Sequence, residues 1–173
     1  MARTLKPFIS ERRLQARVRA LGRAIRSDYS GRGLVLVGIL KGSFIFMADL
    51  ARAIRLPLTC DFMRVSSYGS GTVSNGKIRM EFDLSHPVKG KDVLLVEDIV
   101  DTGWTLNHVL NELRKKRPAS LKLAALLHKP ARTRVEVPID YLGFTIPDRF
   151  VVGYGLDFDG RYRNLPHVAV LNA

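Results

Sequence analysis

The chain has 173 residues, enough for one domain with a sizeable core and too few for a large multidomain assembly. Hydrophobic residues make up 46% and charged residues 25%, a globular balance that excludes wholesale disorder. Lys and Arg outnumber Asp and Glu by 28 to 16, and the resulting net charge of +12 predicts a surface that favours anions without saying which.

The segment Met1–Pro7 lacks the apolar core of a signal peptide, and no apolar run approaches the ~18 residues of a membrane span, so a soluble cytoplasmic protein is expected. Residues 1–35 carry nine Lys or Arg against Glu11 and Asp28, which is +7 of the +12. Leu14, Val18, Leu21 and Ile25 recur at helical spacing and predict an amphipathic helix with Ser10 as its N-cap. Its polar face is rich in arginine but has no interleaved aromatics, so it reads as a solvated face rather than a nucleic-acid interface.

Leu34–Ile39 is a continuous apolar run and predicts a buried parallel strand. Residues 43–55 predict a helix whose apolar face is Phe44, Met47, Ala48, Ala51 and Ile54. Thr59–Val65 predicts the next strand. It contains the single cysteine, Cys60, which excludes an intrachain disulfide and reads as a buried small hydrophobe. Ser66–Gly76 holds three glycines and four serines and predicts a long mobile loop. Asp92–Val96 predicts a strand running into Glu97-Asp98-Ile99-Val100-Asp101-Thr102-Gly103. Leu106, Val109, Leu110 and Leu113 mark a helix that Pro118 ends. Leu121–Leu127 and Phe150–Tyr154 predict two more strands. This rhythm points to an α/β sheet with helices on both faces.

There is no dinucleotide fingerprint at Gly38-Ile39-Leu40-Lys41-Gly42 and no Walker-type glycine loop. The chemistry concentrates instead in Glu97-Asp98-Ile99-Val100-Asp101-Thr102-Gly103-Trp104-Thr105. Adjacent acids at the carboxyl end of a buried strand are costly without a partner, and that end of an open parallel sheet is where ligands bind. Thr102-Gly103-Trp104-Thr105 then opens a helix. Its glycine permits a tight turn, and its hydroxyls and free N–H groups suit a phosphate. Acids beside a phosphate cradle suit a polyol phosphate with a divalent cation. His86, His108, His128 and His167 show no catalytic or zinc spacing.

The Val96–Thr105 segment resembles the phosphoribosyl-pyrophosphate motif of the type I phosphoribosyltransferases. Ser66-Ser67-Tyr68-Gly69, Leu127-His128-Lys129-Pro130 and Pro147–Asp157 are similar to the hypoxanthine-guanine branch. The resemblance spans nearly the whole chain, from Ile39-Leu40-Lys41-Gly42-Ser43 to Leu165-Pro166-His167-Val168. It implies a type I phosphoribosyltransferase fold: one domain over residues 1–173, an open, mainly parallel sheet flanked by helices. A small hood lobe would come from parts of the N-terminal and C-terminal segments.

It also implies a role for each matched residue. Glu97 and Asp98 would hold the ribose hydroxyls, partly through Mg²⁺, with Asp157 as a further metal acid acting partly through water. Asp101 would be the general base or acid near purine N7. Thr102, Gly103, Trp104 and Thr105 would form the 5′-phosphate loop. Leu40, Lys41 and Gly42 would form the pyrophosphate loop, with a cis peptide between Leu40 and Lys41. Ser67 and Tyr68 would close over the reacting centre. Lys129 would donate to purine O6, Phe150 would stack on the base, and Val151 would read its edge through the backbone. Arg163 would bind pyrophosphate. Trp104 departs from the pattern only in bulk, because binding there runs through backbone N–H groups.

The implied partners are phosphoribosyl pyrophosphate, hypoxanthine or guanine, IMP or GMP, pyrophosphate, and further copies of the chain as a dimer or tetramer. The implied setting is purine salvage. Two other readings compete: transfer to another base such as xanthine or a pyrimidine, and an RNA-binding regulator on the same scaffold. Occupied catalytic positions argue against the regulator, and the Lys129, Phe150 and Asp157 set argues for a 6-oxopurine.

Overall fold

Alternation along three central strands decides which of two cores each side chain joins. The computed structural model describes residues 4–67 and 78–172. Its elements are β1 (Thr4–Ile9), α1 (Glu11–Asp28), β2 (Leu34–Leu40), α2 (Phe44–Ile54), β3 (Leu58–Ser67), β4 (Ile78–Phe82), β5 (Asp92–Val100), α3 (Trp104–Lys115), β6 (Ser120–His128), β7 (Tyr141–Thr145), β8 (Val151–Val152) and β9 (Val168–Asn172). Leu34, Leu36, Leu94, Val96, Ala124 and Leu126 join one core with α1 and α2. Val35, Val37, Val93, Leu95, Leu123 and Ala125 join the other with α3. Each strand is therefore covered on both faces, which is why it reads as an unbroken apolar run.

The main sheet has six strands in the order β4-β3-β2-β5-β6-β7. Only the β3–β4 pair is antiparallel. The order reverses direction at β2–β5: the chain moves outward through α2 to β3 on one side and through α3 to β6 on the other. The carboxyl ends of β2 and β5 therefore flank a crevice that no crossover fills, the usual place for a ligand. A second sheet, in the order β1-β9-β8, joins the two ends of the described chain.

The first helix is as the sequence predicts: Ser10 Oγ accepts the Arg13 N–H at 3.4 Å, and Leu14, Val18, Leu21 and Ile25 are buried. So is the third, with Leu106, Val109, Leu110 and Leu113 inward. Four expectations are corrected. The α2 face is Phe46, Met47, Leu50 and Ile54, whereas Phe44 and Ala48 are exposed. The helix begins at Phe44 and is rotated so that this residue points to solvent. Cys60 is exposed, on a sheet margin where Leu58 and Phe62 of the same face are only partly covered. Phe150–Tyr154 contributes only the two-residue β8, paired with β9 rather than with the main sheet. Ser66 and Ser67 are not loop but the end of β3, opposite Arg79 and Ile78. Ladder hydrogen bonds hold them there without apolar side chains. Tyr68 and the rest of the glycine-serine stretch lie outside the described residues.

Candidate active site

Strand β5 carries Glu97 and Asp98 at its carboxyl end, inside the crevice. Asp98 is buried, and its Oδ1 accepts the Ile99 N–H at 2.8 Å. A Cβ on Gly42 would overlap Asp98 Oδ2, so glycine is what lets the turn after β2 close onto this acid. That turn contains the expected cis peptide, between Leu40 and Lys41. Glu97 Oε2 is sealed from solvent without a hydrogen-bond partner among the described residues. Burial and the neighbouring Asp98 charge push the Glu97 carboxyl well above its ordinary range. Burial lifts Asp98 to about 6, against the pull of backbone N–H groups and Arg163.

One cavity of about 420 Å³ gathers six of the predicted residues: Asp98, Asp101, Lys129, Phe150, Val151 and Asp157. Lys129 follows β6, and its N–H donates to Val100 O at 2.9 Å. Its side chain is buried, with Nζ at 3.8 Å from Asp148 Oδ1. A buried lysine at a cavity wall is set to donate to a ligand, not to solvate a turn. Phe150 is 52% exposed on that cavity, with its ring edge-on to Phe158 at 5.8 Å. Its free face is available for stacking.

The other predicted groups are not among the residues that line this cavity. Gly103 caps α3 at φ 87, and a Cβ there would overlap Val135 O. Val135 N and Arg134 N donate to Thr102 O at 3.0 and 2.9 Å, so the 102–105 turn is tied to the segment after β6. The first N–H groups of α3 have no carbonyl partner within the helix, which suits an anion. Trp104 is 52% exposed at the helix start. Arg163 binds Gly155 O at 2.6 Å and Asp157 at 2.8 Å. Ser67 ends β3.

No group of three or more His, Cys, Asp or Glu that could hold a metal ion occurs among the described residues. Asp157 is held by Arg163 and by the Gly160 N–H at 2.8 Å.

Sequence reasoning also missed two charged members of the cavity wall, Arg132 and Asp148. Arg132 Nε donates to Asp101 Oδ1 at 2.9 Å, and Arg132 stands 3.9 Å from Asp148. The signal was present in Lys129-Pro130-Ala131-Arg132, where a single 3₁₀ turn brings a second cation back toward the acids.

The phosphoribosyl transferase domain family matches residues 10–159. A hypoxanthine phosphoribosyltransferase of Salmonella typhimurium is 49% identical over 170 residues, covering 97% of this chain and 96% of that one. The chain belongs to the hypoxanthine-guanine phosphoribosyltransferase family. A bifunctional protein TilS/HprT of Listeria monocytogenes is 48% identical over 166 residues, or 96% of this chain, and the chain spans 26% of that longer protein. A crystal structure of a hypoxanthine-guanine phosphoribosyltransferase from Bacillus anthracis superposes with a TM-score of 0.92 at 40% identity, covering 99% of this chain and 100% of that one. Asp98, Asp101 and Lys129 share one cavity, and Asp98 lies on β5 beside the sheet's switch point. No described helix is long and apolar enough to cross a membrane.

Proposed function

We propose that the chain transfers the ribosyl phosphate of phosphoribosyl pyrophosphate to N9 of a 6-oxopurine, giving IMP or GMP and pyrophosphate. The observation that carries this reading is the shared cavity: Asp98 on the ribose side, with Asp101, Lys129 and Phe150 on the base side. Lys129 supplies a charge-assisted donor for O6 and has no complementary partner in a 6-amino group. Phe150 stacks on the ring, and the 102–105 turn takes the 5′-phosphate.

As N9 bonds to C1′, the C1′–O bond breaks and its electron pair leaves with the diphosphate. Asp101 takes the purine proton. Lys41 and Arg163 face the growing negative charge of the leaving group. Glu97 and Asp98 accept from the ribose hydroxyls. This all-oxygen set, with an unpartnered Glu97 Oε2 and a glycine-opened approach at Gly42, fits Mg²⁺ held through carboxylate, water and substrate oxygens. When bound, Mg²⁺ supplies positive charge that neutralises the diphosphate. Asp157 belongs to this set through water once the donor draws Arg163 away. The same reading includes a cytoplasmic enzyme that self-associates as a dimer or tetramer, with the β1-β9-β8 sheet as the hood.

Steady-state rates with hypoxanthine, guanine, xanthine, adenine and uracil, each with and without Mg²⁺, test it. Turnover should be confined to 6-oxopurines and should collapse after exhaustive chelation. Comparable rates with adenine or uracil, or full activity without divalent cation, would overturn it.

A further inference from the structure

A second cleft, of about 440 Å³, opens between α1 and α2 and shares no lining residue with the candidate active site. Arg19, Arg23 and Arg26 line it from α1, at spacings that put all three on one helical face. Arg52 and Arg55 line it from the end of α2. Gly22 brings these walls together: it is buried, and a Cβ there would overlap the Ala53 backbone, so the two helices meet closely beneath the arginines.

The charge in this cleft is not balanced from within. Its one carboxylate, Asp49, already accepts from Gln15 at 3.0 Å and from the Tyr154 hydroxyl at 2.5 Å, and it pairs with Arg52. Arg19, Arg23, Arg26 and Arg55 have no carboxylate partner among the described residues. Arg55 also holds a left-handed backbone, φ 55 and ψ 39, where glycine is the low-cost residue. Five arginines therefore line one recess against a single carboxylate, and an anion entering it supplies the missing negative charge.

The chemistry of the walls selects the class of anion. Guanidinium forks match phosphate oxygens in paired hydrogen bonds. The volume suits a small molecule. No aromatic ring lines the cleft, so the stacking on which single-stranded nucleic acid relies is missing. A two-fold contact with a second copy at this face would set these arginines against their own counterparts. We propose that the α1–α2 cleft is a binding site for a compact polyphosphate group, separate from the active site. An inorganic chain and the polyphosphate tail of a nucleotide share this chemistry.

The test is calorimetric titration of the full chain with inorganic tripolyphosphate, with a nucleoside triphosphate, and with a short single-stranded RNA. The active site also takes diphosphates, so the wild-type protein should show two binding events for tripolyphosphate. The triple variant Arg19→Gln, Arg23→Gln, Arg26→Gln should keep one event and raise the Kd of the other about tenfold or more. Its turnover without added polyphosphate should be unchanged, because these arginines are exposed and line no part of the candidate active-site cavity. A control variant, Arg12→Gln, Lys89→Gln, Arg114→Gln, removes equal charge outside the cleft and should leave both events intact. Equal affinity for both polyphosphates identifies the inorganic chain as sufficient, and tighter binding of the nucleotide identifies the tail as the ligand. The proposal is overturned if the cleft variant binds like wild type, if the control weakens binding as much, or if RNA competes far more strongly than either small polyphosphate.

Discussion

Asp101 shows how one neighbour can decide what a carboxylate does. Among the described residues its carboxylate is bound by Arg132, not by the backbone of the 102–105 turn. It is therefore not the brace of the phosphate turn, and its second oxygen is free for the purine. Proton transfer by a placed side chain is worth ~10²–10⁴ in rate. Asp101→Asn should lower kcat by that order while leaving the Kd for phosphoribosyl pyrophosphate, measured without a base, nearly unchanged. Weakened donor binding with a normal rate at saturation would remove Asp101 from the reaction. Lys129 gives the complementary case, since its ammonium stands near Asp148 on the cavity wall, where the proposed reaction puts the base. Lys129→Ala should cost ~2–4 kcal/mol in kcat/KM for hypoxanthine, with donor affinity preserved, because a charged hydrogen bond is lost in a desolvated pocket. Steady-state kinetics and donor calorimetry on the same variant check both halves.

At the scale of elements, the start of α3 is the most constrained part of the site. Gly103 holds a positive φ against Val135 O, so any side chain meets both strain and a backbone wall. Gly103→Ala should destabilise the fold by more than the ~1–2 kcal/mol of the left-handed backbone alone. It should also weaken donor binding, because the N–H groups of α3 turn with it; thermal unfolding and donor Kd read the two effects. Elements with both local periodicity and burial were legible in the sequence: β2, β5, β6, the stripe of α1 and the stripe of α3. Those made by distant pairing were not. Strand β1 contains Pro7 and exists because it pairs with β9, so that Thr4 meets Asn172 across almost the whole chain. Strand β4 is an edge partner of β3 with little burial to mark it. The site followed the same division. The contiguous Glu97–Thr105 run could be read directly. The contact of Arg132 with Asp101 depends on a 3₁₀ turn that folds the chain back, and the Asp157–Arg163 pair depends on turns that no periodicity reports.

Across the whole molecule, a strongly basic chain places the adjacent acids Glu97 and Asp98 where its two half-sheets diverge. In the free protein these carboxylates keep protons that an unfolded chain releases. The ordinary Asp value is 3.8, and folded Asp98 holds its proton to about 6. Between those values the native state binds more protons than the unfolded state. This group's contribution to stability is therefore complete below about pH 4, falls as pH rises to about 6, and is flat above that. Glu97, raised further by burial and by Asp98, extends the decline upward. In the proposed reaction a divalent cation held by these carboxylates favours their ionised forms, so binding the donor with Mg²⁺ should expel these protons. Calorimetry of donor binding in two buffers of different ionisation enthalpy should show net proton release, larger near pH 6 than at pH 8. Glu97→Gln should reduce that release, raise the thermal midpoint of the free protein at pH 8, where the buried charge is most costly, and weaken donor binding. Proton release that is unchanged in this variant, or a midpoint that drops, would mean that the acid pair is already ionised and compensated in the free state.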